Sequence, residues 1–379
     1  MKDALKIITI LKKAGFEAYL VGGVVRDYFL KMPFNDIDIT TSAKPWEVEK
    51  LFHKTKPTGL KFGTVTVFMA SKEYEVTTFR EDFDYLDSRH PNRIVFTDKA
   101  DVDVKRRDFT INGLLLDSDL NLLDFVGGKK DLDYKIIKAI GDPNIRFKED
   151  ALRILRAFYF VSKLGFEIEE ETLNSIKENR FSIYEIAFER VLNEITKLLN
   201  EKHQIKALKY ILDCQVDEVL PGLSDGIKYL VKNDLALKTD RFFCLAFTLN
   251  GSVPNYWRFS NKYLNYYQKV VELANLTTKI SSFELYNYGI NISSMANHIN
   301  LLLNRTTQTQ DEVNELYKKM PIKSVLDLAI TAEEIIKIKN KKAGAWLKKV
   351  QDKLIAEIIS GQLENKYESI IVYLNNMEV

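Results

Sequence analysis

The sequence predicts an α+β fold in which a mixed sheet with helices comes first and an all-helical part follows. One observation is the distribution of turn-forming residues, because residues 1–150 hold nine of the 16 glycines and five of the eight prolines. Another is a set of short β-branched or aromatic runs there, which predict strands: AYLV, DIDIT, TVTVFMA, YEVTTF and RIVF. From Phe147 onward, apolar residues recur at helical spacing, as at Leu152 and Leu155.

The size, charge and cysteine content exclude several classes of protein. At roughly 100–200 residues per domain, 379 residues are too many for one small binding module. The 55 basic and 53 acidic side chains nearly cancel, so any nucleic-acid site must be local rather than a matter of bulk charge. Cys214 and Cys244 are too few for a disulfide framework and predict a reducing cytoplasm. No apolar run approaches the roughly 18 residues of a membrane span, so no membrane partner is expected.

Two glycines lie at a predicted strand-to-helix turn. Gly22 and Gly23 follow the strand AYLV and precede VVRDYFL, which has helical character. Backbone N–H groups at such a turn face an anion, and Arg26 adds a forked charged donor, so the turn predicts a phosphate site. The alternative is a plain tight turn in which Arg26 pairs with Asp27.

Paired carboxylates follow ten residues further on. Alternation along the strand DIDIT puts Asp36 and Asp38 on one face, where two like charges are costly unless a cation lies between them. Carboxylate oxygens without histidine or thiolate neighbours favour Mg²⁺. Glu75 in YEVTTF is the candidate third acid, because it is nested among apolar residues whereas Glu73 is expected to be solvated. The alternative is a solvated edge strand with surface acids.

A phosphate turn directly before a carboxylate strand is the arrangement that metal-assisted nucleotidyl transfer requires. Two divalent ions held by shared carboxylates can activate an attacking hydroxyl and stabilise the leaving pyrophosphate. The sequence therefore predicts a site with two Mg²⁺ ions.

Five ordered motifs resemble the class II tRNA nucleotidyltransferases, the CCA-adding enzymes, and the bacterial poly(A) polymerases that share their head and neck. They are LVGGVVRD, NDIDIT, KRRDFTINGL, GDPNIRFKEDALRILRA and FERVLNEI, within residues 1 to about 200. The resemblance implies a polymerase-β-type head that transfers a nucleoside monophosphate from CTP or ATP to an RNA 3′-hydroxyl.

Carried over by position, the resemblance implies four sets of site residues. They are Asp36 and Asp38 as metal ligands; Gly22, Gly23 and Arg26 at the triphosphate; Arg107, beside Arg106, and Asn112 at phosphates and sugar; and Asp150, Arg153 and Arg156 as the base-selecting motif. Where family members commonly have another arginine one turn later, this chain has Tyr159.

The base-selecting motif also has a physical rationale. Asp150 and Arg153, three residues apart on a predicted helix, would be neighbours on its surface. One offers only acceptors and the other only donors, a pattern that suits cytosine and adenine and not guanine or uracil. The alternative is a surface salt bridge. In the motif FERVLNEI, the pair Glu189 and Arg190 is expected to brace this helix.

A polar connection follows the sheet and contains Asp82, Asp84, Asp87, Arg89 and Pro91. Such a composition is typical of a surface loop. The resemblance implies the flexible loop that is retained in enzymes adding the terminal A, which favours CCA or A addition over CC addition.

One lysine-rich stretch lies late in the chain. Residues 335–350 hold six lysines, one tryptophan and no acid. The candidates for contact with an RNA backbone are Lys341, Lys342, Trp346, Lys348 and Lys349. The alternative is a solvated helix face.

Together these observations predict a CCA-adding enzyme that adds C, C and A from CTP and ATP to the 3′ end of the tRNA acceptor arm. The expected parts are a catalytic head (1–145), a helical neck (146–200), a helical body (201–310) and a tRNA-binding tail (311–379). No protein partner is implied. The alternatives are a poly(A) polymerase or A-adding enzyme, and a catalytically silent RNA-binding protein on the same fold.

Overall fold

A computed structural model describes residues 1–34, 36–85 and 91–377. Its strands are β1 (Ala18–Val21), β2 (Asp38–Thr41), β3 (Thr55–Gly59), β4 (Thr64–Met69), β5 (Lys72–Thr78), β6 (Arg80–Tyr85), β7 (Pro91–Phe96), β8 (Leu114–Leu116), β9 (Leu122–Asp124), β10 (Ile136–Ile137) and β11 (Glu167–Ile168).

The chain divides into two compact units. The first comprises residues 1–220 and 230–236, and the second comprises residues 221–229 and 237–379. This division does not test the predicted four parts, which remain a prediction.

The first unit contains one large mixed sheet. Its strand order is β3-β4-β5-β2-β1-β8-β9. β2 runs antiparallel to β1 and parallel to β5. The helices of this unit are α1 (Lys2–Lys13), α2 (Gly23–Phe29), α3 (Pro45–Leu51), α4 (Ala100–Lys105), α5 (Gly128–Asp133), α6 (Pro143–Glu149), α7 (Leu152–Leu164), α8 (Glu170–Asn179), α9 (Phe188–Leu199) and α10 (Gln204–Asp213).

Amphipathic helices cover the sheet and follow it. In α1, Ala4, Ile7, Ile8 and Leu11 form a buried stripe at helical spacing. In α7, Ile154, Leu155, Phe158 and Val161 are buried, and the helix ends at Gly165, whose φ of 73° suits glycine.

Part of the expected polar connection is a hairpin. β6 and β7 pair antiparallel, with Arg80 opposite Phe96 and Phe83 opposite Arg93. Alternation of polar and aromatic residues in REDFDY supports a strand where the sequence suggested a loop. Asp87 and Arg89 of that expected loop lie outside the described residues, as does Asn35.

Helices make up the second unit. α11 (Ser224–Asn233) contributes residues to both units. It is followed by α12 (Thr239–Asn250), α13 (Asn261–Leu276), α14 (Ser282–Leu302), α15 (Gln310–Lys319), α16 (Ala332–Lys339), α17 (Ala345–Ile359) and α18 (Tyr367–Asn376). An aromatic cluster around Phe243, Trp257 and Tyr267 packs part of this unit. A separate apolar cluster around Ile335, Leu354 and Ile370 packs its last helices.

The mixed sheet and the following helices confirm the predicted fold class. Within the described residues, no helix has both the length and the apolar character to cross a membrane.

Candidate nucleotide-binding site

A cavity of about 600 Å³ in the first unit gathers most of the predicted site residues. Those on its wall are Gly22, Gly23, Arg26, Asp36, Asp38, Arg107, Asn112, Arg153 and Arg156. Glu75 and Asp150 are not among its lining residues. Segments far apart in the chain therefore meet at one site.

The glycine turn places backbone against charged side chains. β1 ends at Val21 and α2 begins at Gly23, and Gly22 between them has a φ of 76°. A Cβ atom on Gly22 would lie 3.7 Å from Arg107 Nη1 and 3.8 Å from Asp38 Oδ2. This conformation favours glycine. The turn therefore lies directly beside both a carboxylate and an arginine of the site.

Arg26 is held on the cavity wall by three neighbours. Its Nε donates to Asp27 Oδ1 at 2.8 Å, and its Nη1 donates to Asn112 Oδ1 at 2.6 Å. The guanidinium also lies 5.1 Å from the ring centroid of Phe160. Lys163 Nζ donates to the other Asp27 oxygen at 3.1 Å. The Arg26–Asp27 pair of the alternative interpretation is thus present, and it lies within the cavity.

The carboxylates cluster around the start of β2. Asp38 is the first residue of β2 and lies directly opposite Glu75 in the parallel pairing with β5. Asp36 precedes the strand, so the predicted alternation on one strand does not extend to it. The pKa of Asp38 is raised, because neighbouring protein displaces part of its water shell and because Glu75 and Asp36 repel its charge, while Arg107 opposes the shift.

The prediction that Glu75 is nested among apolar residues while Glu73 is solvated is wrong. Both glutamates are exposed on β5. Glu75 differs from Glu73 in its register, which places it opposite Asp38. Among the described residues, no group of three or more His, Cys, Asp or Glu side chains is placed to hold a metal ion.

Sequence reasoning missed the buried Asp103. It accepts hydrogen bonds from Arg106 Nη2 at 2.8 Å and Arg107 Nη2 at 3.1 Å. Thr40 Oγ1, on β2, donates to it at 3.2 Å. Burial alone would raise the pKa of Asp103, but the two arginines outweigh burial and lower it. The signal in the sequence was the spacing of Asp103 from Arg106 and Arg107, three and four residues later.

Sequence reasoning also missed Asp108. Its Oδ2 accepts from Arg156 Nε at 2.9 Å and Nη2 at 2.6 Å. Its Oδ1 accepts from Asn112 Nδ2 at 3.0 Å and from the Phe109 backbone at 2.8 Å. Burial would raise the pKa of Asp108, but these donors lower it to about 2. Asp108 therefore fixes Arg156 and Asn112 at the cavity as a permanent anion.

Asp150 and Arg153 do not form the predicted pair of neighbours on one helix surface. Asp150 lies between α6 and α7 with φ −146° and ψ 100°, and its Oδ1 accepts from the Leu152 backbone at 3.1 Å. Arg190 on α9 donates to both Asp150 oxygens, at 3.3 and 3.0 Å. The extended backbone at Asp150 breaks the helix, so the three-residue spacing does not bring the two side chains together as it would on a helix surface.

Arg153 has a different set of partners. Its Nη1 donates to Glu149 Oε2 at 2.7 Å and to the Arg146 carbonyl at 2.9 Å. Its Nη2 donates to the Arg106 carbonyl at 2.8 Å. Within the described part of the chain, the side chains of Asp150 and Arg153 do not bond to each other; each is positioned by its own network.

The lysine-rich stretch lies in the second unit, around the start of α17. Lys341, Lys342, Lys348 and Lys349 are exposed. Trp346 is half-buried, and its Nε1 donates to the Lys342 carbonyl at 2.7 Å. Lys341 Nζ lies 5.8 Å from the Trp346 ring centroid. The stretch is thus an ordered, basic surface.

The fold and the cavity together define a class of protein. A mixed sheet bears a carboxylate strand beside a glycine turn, and arginines from later segments close the same cavity. This is the head of a polymerase-β-type nucleotidyltransferase.

Comparison with known families and proteins narrows the class. Residues 18–138 match the Poly A polymerase head domain, residues 165–227 the probable RNA and SrmB-binding site of polymerase A, and residues 243–374 a putative tRNA nucleotidyltransferase domain 2. The CCA-adding enzyme of Bacillus subtilis (strain 168) is 32% identical, covering 98% of this chain and 97% of that protein. The CCA-adding enzyme of Limosilactobacillus fermentum is 37% identical, covering 98% and 95%.

A solved structure of a CCA-adding enzyme is also similar to this chain over almost its whole length. The CCA-adding enzyme of Bacillus stearothermophilus in complex with CTP is 30% identical, with a TM-score of 0.83 over 99% of this chain and 96% of that one. The chain belongs to the family of the CCA-adding enzymes.

Proposed function

We propose that the protein is a CCA-adding tRNA nucleotidyltransferase that adds C, C and A from CTP and ATP to the tRNA 3′ end. Relatives that are CCA-adding enzymes match it along almost its whole length. The observation that carries the proposal is the single cavity in which the glycine turn, Asp38 and the arginines of three segments converge.

The chemistry of the carboxylates fits Mg²⁺. The pKa of Asp38 is raised by partial loss of its water shell and by repulsion from Glu75 and Asp36, and a bound cation would relieve that repulsion. Mg²⁺ is usually bound through one or two carboxylates together with substrate phosphates, so a cage of three protein ligands is not required. Asp36, Asp38 and Glu75 are the proposed ligands. Two bound Mg²⁺ ions would lower the pKa of the tRNA 3′-hydroxyl and stabilise the leaving pyrophosphate.

The remaining residues bind and orient the nucleotide. Gly22 and Gly23 allow the triphosphate to approach the backbone, while Arg26 and Arg107 neutralise its charge. Asn112 and Arg156, both fixed by Asp108, lie on the same wall. In the transfer, the 3′-hydroxyl releases its proton to water as its oxygen bonds to the α-phosphorus. The bond between the α-phosphorus and the oxygen that bridges to the β-phosphate breaks, and pyrophosphate leaves with that oxygen.

Base selection is assigned to Asp150 and Arg153. Cytosine and adenine each present an amino donor beside a ring-nitrogen acceptor, which match an aspartate and an arginine. The bidentate contact of Arg190 fixes the Asp150 carboxylate, and three acceptors fix Arg153. A preorganised protein pair would thus replace a nucleic-acid template.

Contact with the tRNA backbone is assigned to the lysine-rich stretch, through Lys341, Lys342, Lys348 and Lys349 beside Trp346. These side chains are exposed or half-buried on an ordered surface. Lys348 and Lys349 lie near the N-terminal end of α17, where the helix dipole does not favour cations. Helix stability therefore does not account for their presence. The cytoplasm is the proposed location, supported by the buried thiols of Cys214 and Cys244.

The test supplies CTP and ATP separately to tRNAs that end before CCA, after C and after CC. We expect two C residues on the first substrate, one on the second and a single A on the third. Addition of A without limit would support poly(A) synthesis instead, and no incorporation into any substrate would support a silent RNA-binding protein.

A further inference from the structure

The arginine series of α7 stops within the cavity. Arg153 and Arg156 are three residues apart, and the next position in the series is Tyr159, followed one turn later by Lys163. All four line the cavity. From Arg153 to Lys163 the helix rises about 15 Å, comparable to the extended length of a nucleoside triphosphate. α7 is therefore long enough to contact a nucleotide from its base to its last phosphate.

Lys163 lies in the last turn of α7, at the end that we assign to the phosphates. Its Nζ is 3.1 Å from Asp27 Oδ2, and Asp27 also holds Arg26 of the glycine turn. The base end is marked by Arg153, one residue into α7. Tyr159 lies between them in the sequence of α7, and its phenol carries no positive charge to offer a phosphate.

A lysine on the neighbouring helix α9 lies beside Tyr159. Lys197 on α9 lines the cavity, and its Nζ lies 5.9 Å from the Tyr159 ring centroid. It donates to Glu194 Oε1 at 2.8 Å, and the Glu194 side chain is only 4% exposed whereas that of Lys197 is 42% exposed. An ammonium has three donors, and this ion pair uses one of them. Glu194 therefore anchors Lys197 with donor capacity left for an anion in the cavity.

We propose that Lys197, together with Lys163, contacts the terminal phosphate of the bound nucleotide and supplies from α9 the charge that α7 lacks at Tyr159. This inference rests on the proposed function. It predicts that Lys197 contributes to the affinity for a triphosphate and not to that for a monophosphate.

The experiment measures the dissociation constants of CTP and CMP by titration calorimetry in magnesium buffer. Lys197→Met should weaken CTP binding about tenfold, as expected for the loss of one charge-assisted contact, and leave CMP binding unchanged. Unchanged CMP binding also shows that the variant is folded. Lys202→Met is the matched control, because Lys202 is an exposed lysine five residues further on that does not line the cavity; it should bind both ligands as wild type does.

A double variant tests whether a positive charge at position 159 can replace that of Lys197. Adding Tyr159→Arg to Lys197→Met should recover most of the lost CTP affinity, because it restores a charge on α7. Equal weakening of CTP and CMP binding, no weakening of CTP binding, or no recovery in the double variant would overturn the inference. If wild type binds CTP and adds it to tRNA, any of these results leaves the proposed function standing. If wild type neither binds nor adds CTP, the proposed function itself fails.

Discussion

At the scale of single residues, Asp38 combines an exposed position with an unfavourable charge environment. Partial loss of water and repulsion by Glu75 raise its pKa, and Arg107 only partly compensates. A carboxylate that is destabilised in the free protein contributes little to folding and is suited to bind a cation. The residue is therefore expected to matter for transfer far more than for stability.

The first prediction follows from this contrast. Asp36→Ala and Asp38→Ala should each reduce CMP transfer to tRNA at least about a thousandfold, because the several kcal/mol that metal coordination contributes to the transition state are lost. The melting temperature should be unchanged or slightly higher, because a repelled charge has been removed. Initial rates with labelled CTP and thermal unfolding curves measure the two effects.

Glu73 provides the matched control for the third acid. Glu73 and Glu75 are both exposed on β5, but only Glu75 lies opposite Asp38. Glu75→Ala should reduce transfer strongly, while Glu73→Ala should retain it. Substantial transfer by Asp38→Ala, or equal loss in the two glutamate variants, would contradict the assignment of the carboxylates.

Asp108 gives a prediction about pH at the same scale. Its pKa of about 2 lies below the ordinary aspartate value, so the charged form is favoured by folding. Its stabilising contribution, about 2 kcal/mol, is complete above the unfolded pKa near 4 and is lost as the pH falls through the folded value. Asp108→Asn should therefore be less stable than wild type at neutral pH.

The difference between Asp108→Asn and wild type should narrow as the pH falls from about 5 toward about 2. Chemical unfolding followed across this pH range measures it. Asp98→Asn is the control, because Asp98 is exposed. A stability difference that stays constant with pH would show that the low pKa of Asp108 is not the source of its effect.

At the scale of secondary-structure elements, α9 positions the junction between α6 and α7. Arg190 on α9 makes a bidentate contact with Asp150 across 40 residues of sequence. Arg153 is tied to the Arg106 carbonyl across 47 residues. The two side chains proposed to select the base are thus oriented by different elements.

The prediction for this junction concerns fidelity. Arg190→Gln should raise the incorporation of UMP relative to CMP by about tenfold or more, because the Asp150 carboxylate loses the charge-assisted pair that orients it. Competition between UTP and CTP on tRNA lacking CCA measures the ratio. Lys148→Gln, an exposed change on α6, should leave it unaltered. An unchanged ratio in Arg190→Gln would mean that Asp150 is not oriented by Arg190 for base selection.

Local sequence was sufficient to predict the glycine turn and four of the seven strands of the large sheet, because AYLV, DIDIT, TVTVFMA and YEVTTF correspond to β1, β2, β4 and β5. RIVF corresponds to β7 of the separate hairpin. Local sequence could not predict the break at Asp150, because no glycine or proline marks that position. The role of Asp108 was hidden for another reason, because its partner Arg156 lies 48 residues away and such contacts depend on tertiary packing. Asp103 had a local signal in its spacing from Arg106 and Arg107, but its contact with Thr40, 63 residues away, depends on tertiary packing as well.

At the scale of the whole molecule, the near balance of charge conceals local surfaces. The 55 basic and 53 acidic residues give a formal net charge of +2. Acids are gathered at the start of β2 and in the pairs that fix the arginines, while exposed lysines are gathered around α17. An RNA partner is compatible with such a distribution because the binding surface is local.

The salt dependence of tRNA binding tests the lysine-rich stretch. Lys348→Ala combined with Lys349→Ala should weaken binding and reduce the slope of log K against log salt by about 1.5, as expected for two lost phosphate contacts. Lys318→Ala is the control, because Lys318 pairs with Glu315 on α15. An unchanged slope in the double variant would favour the solvated helix face.

The most direct test of the whole account is the length and sequence of the product made from tRNA that lacks CCA, with CTP and ATP both in excess. The proposed function predicts three added nucleotides, C, C and A, after which growth stops. A ladder of added A residues without C, or growth that continues past the third nucleotide, would contradict it.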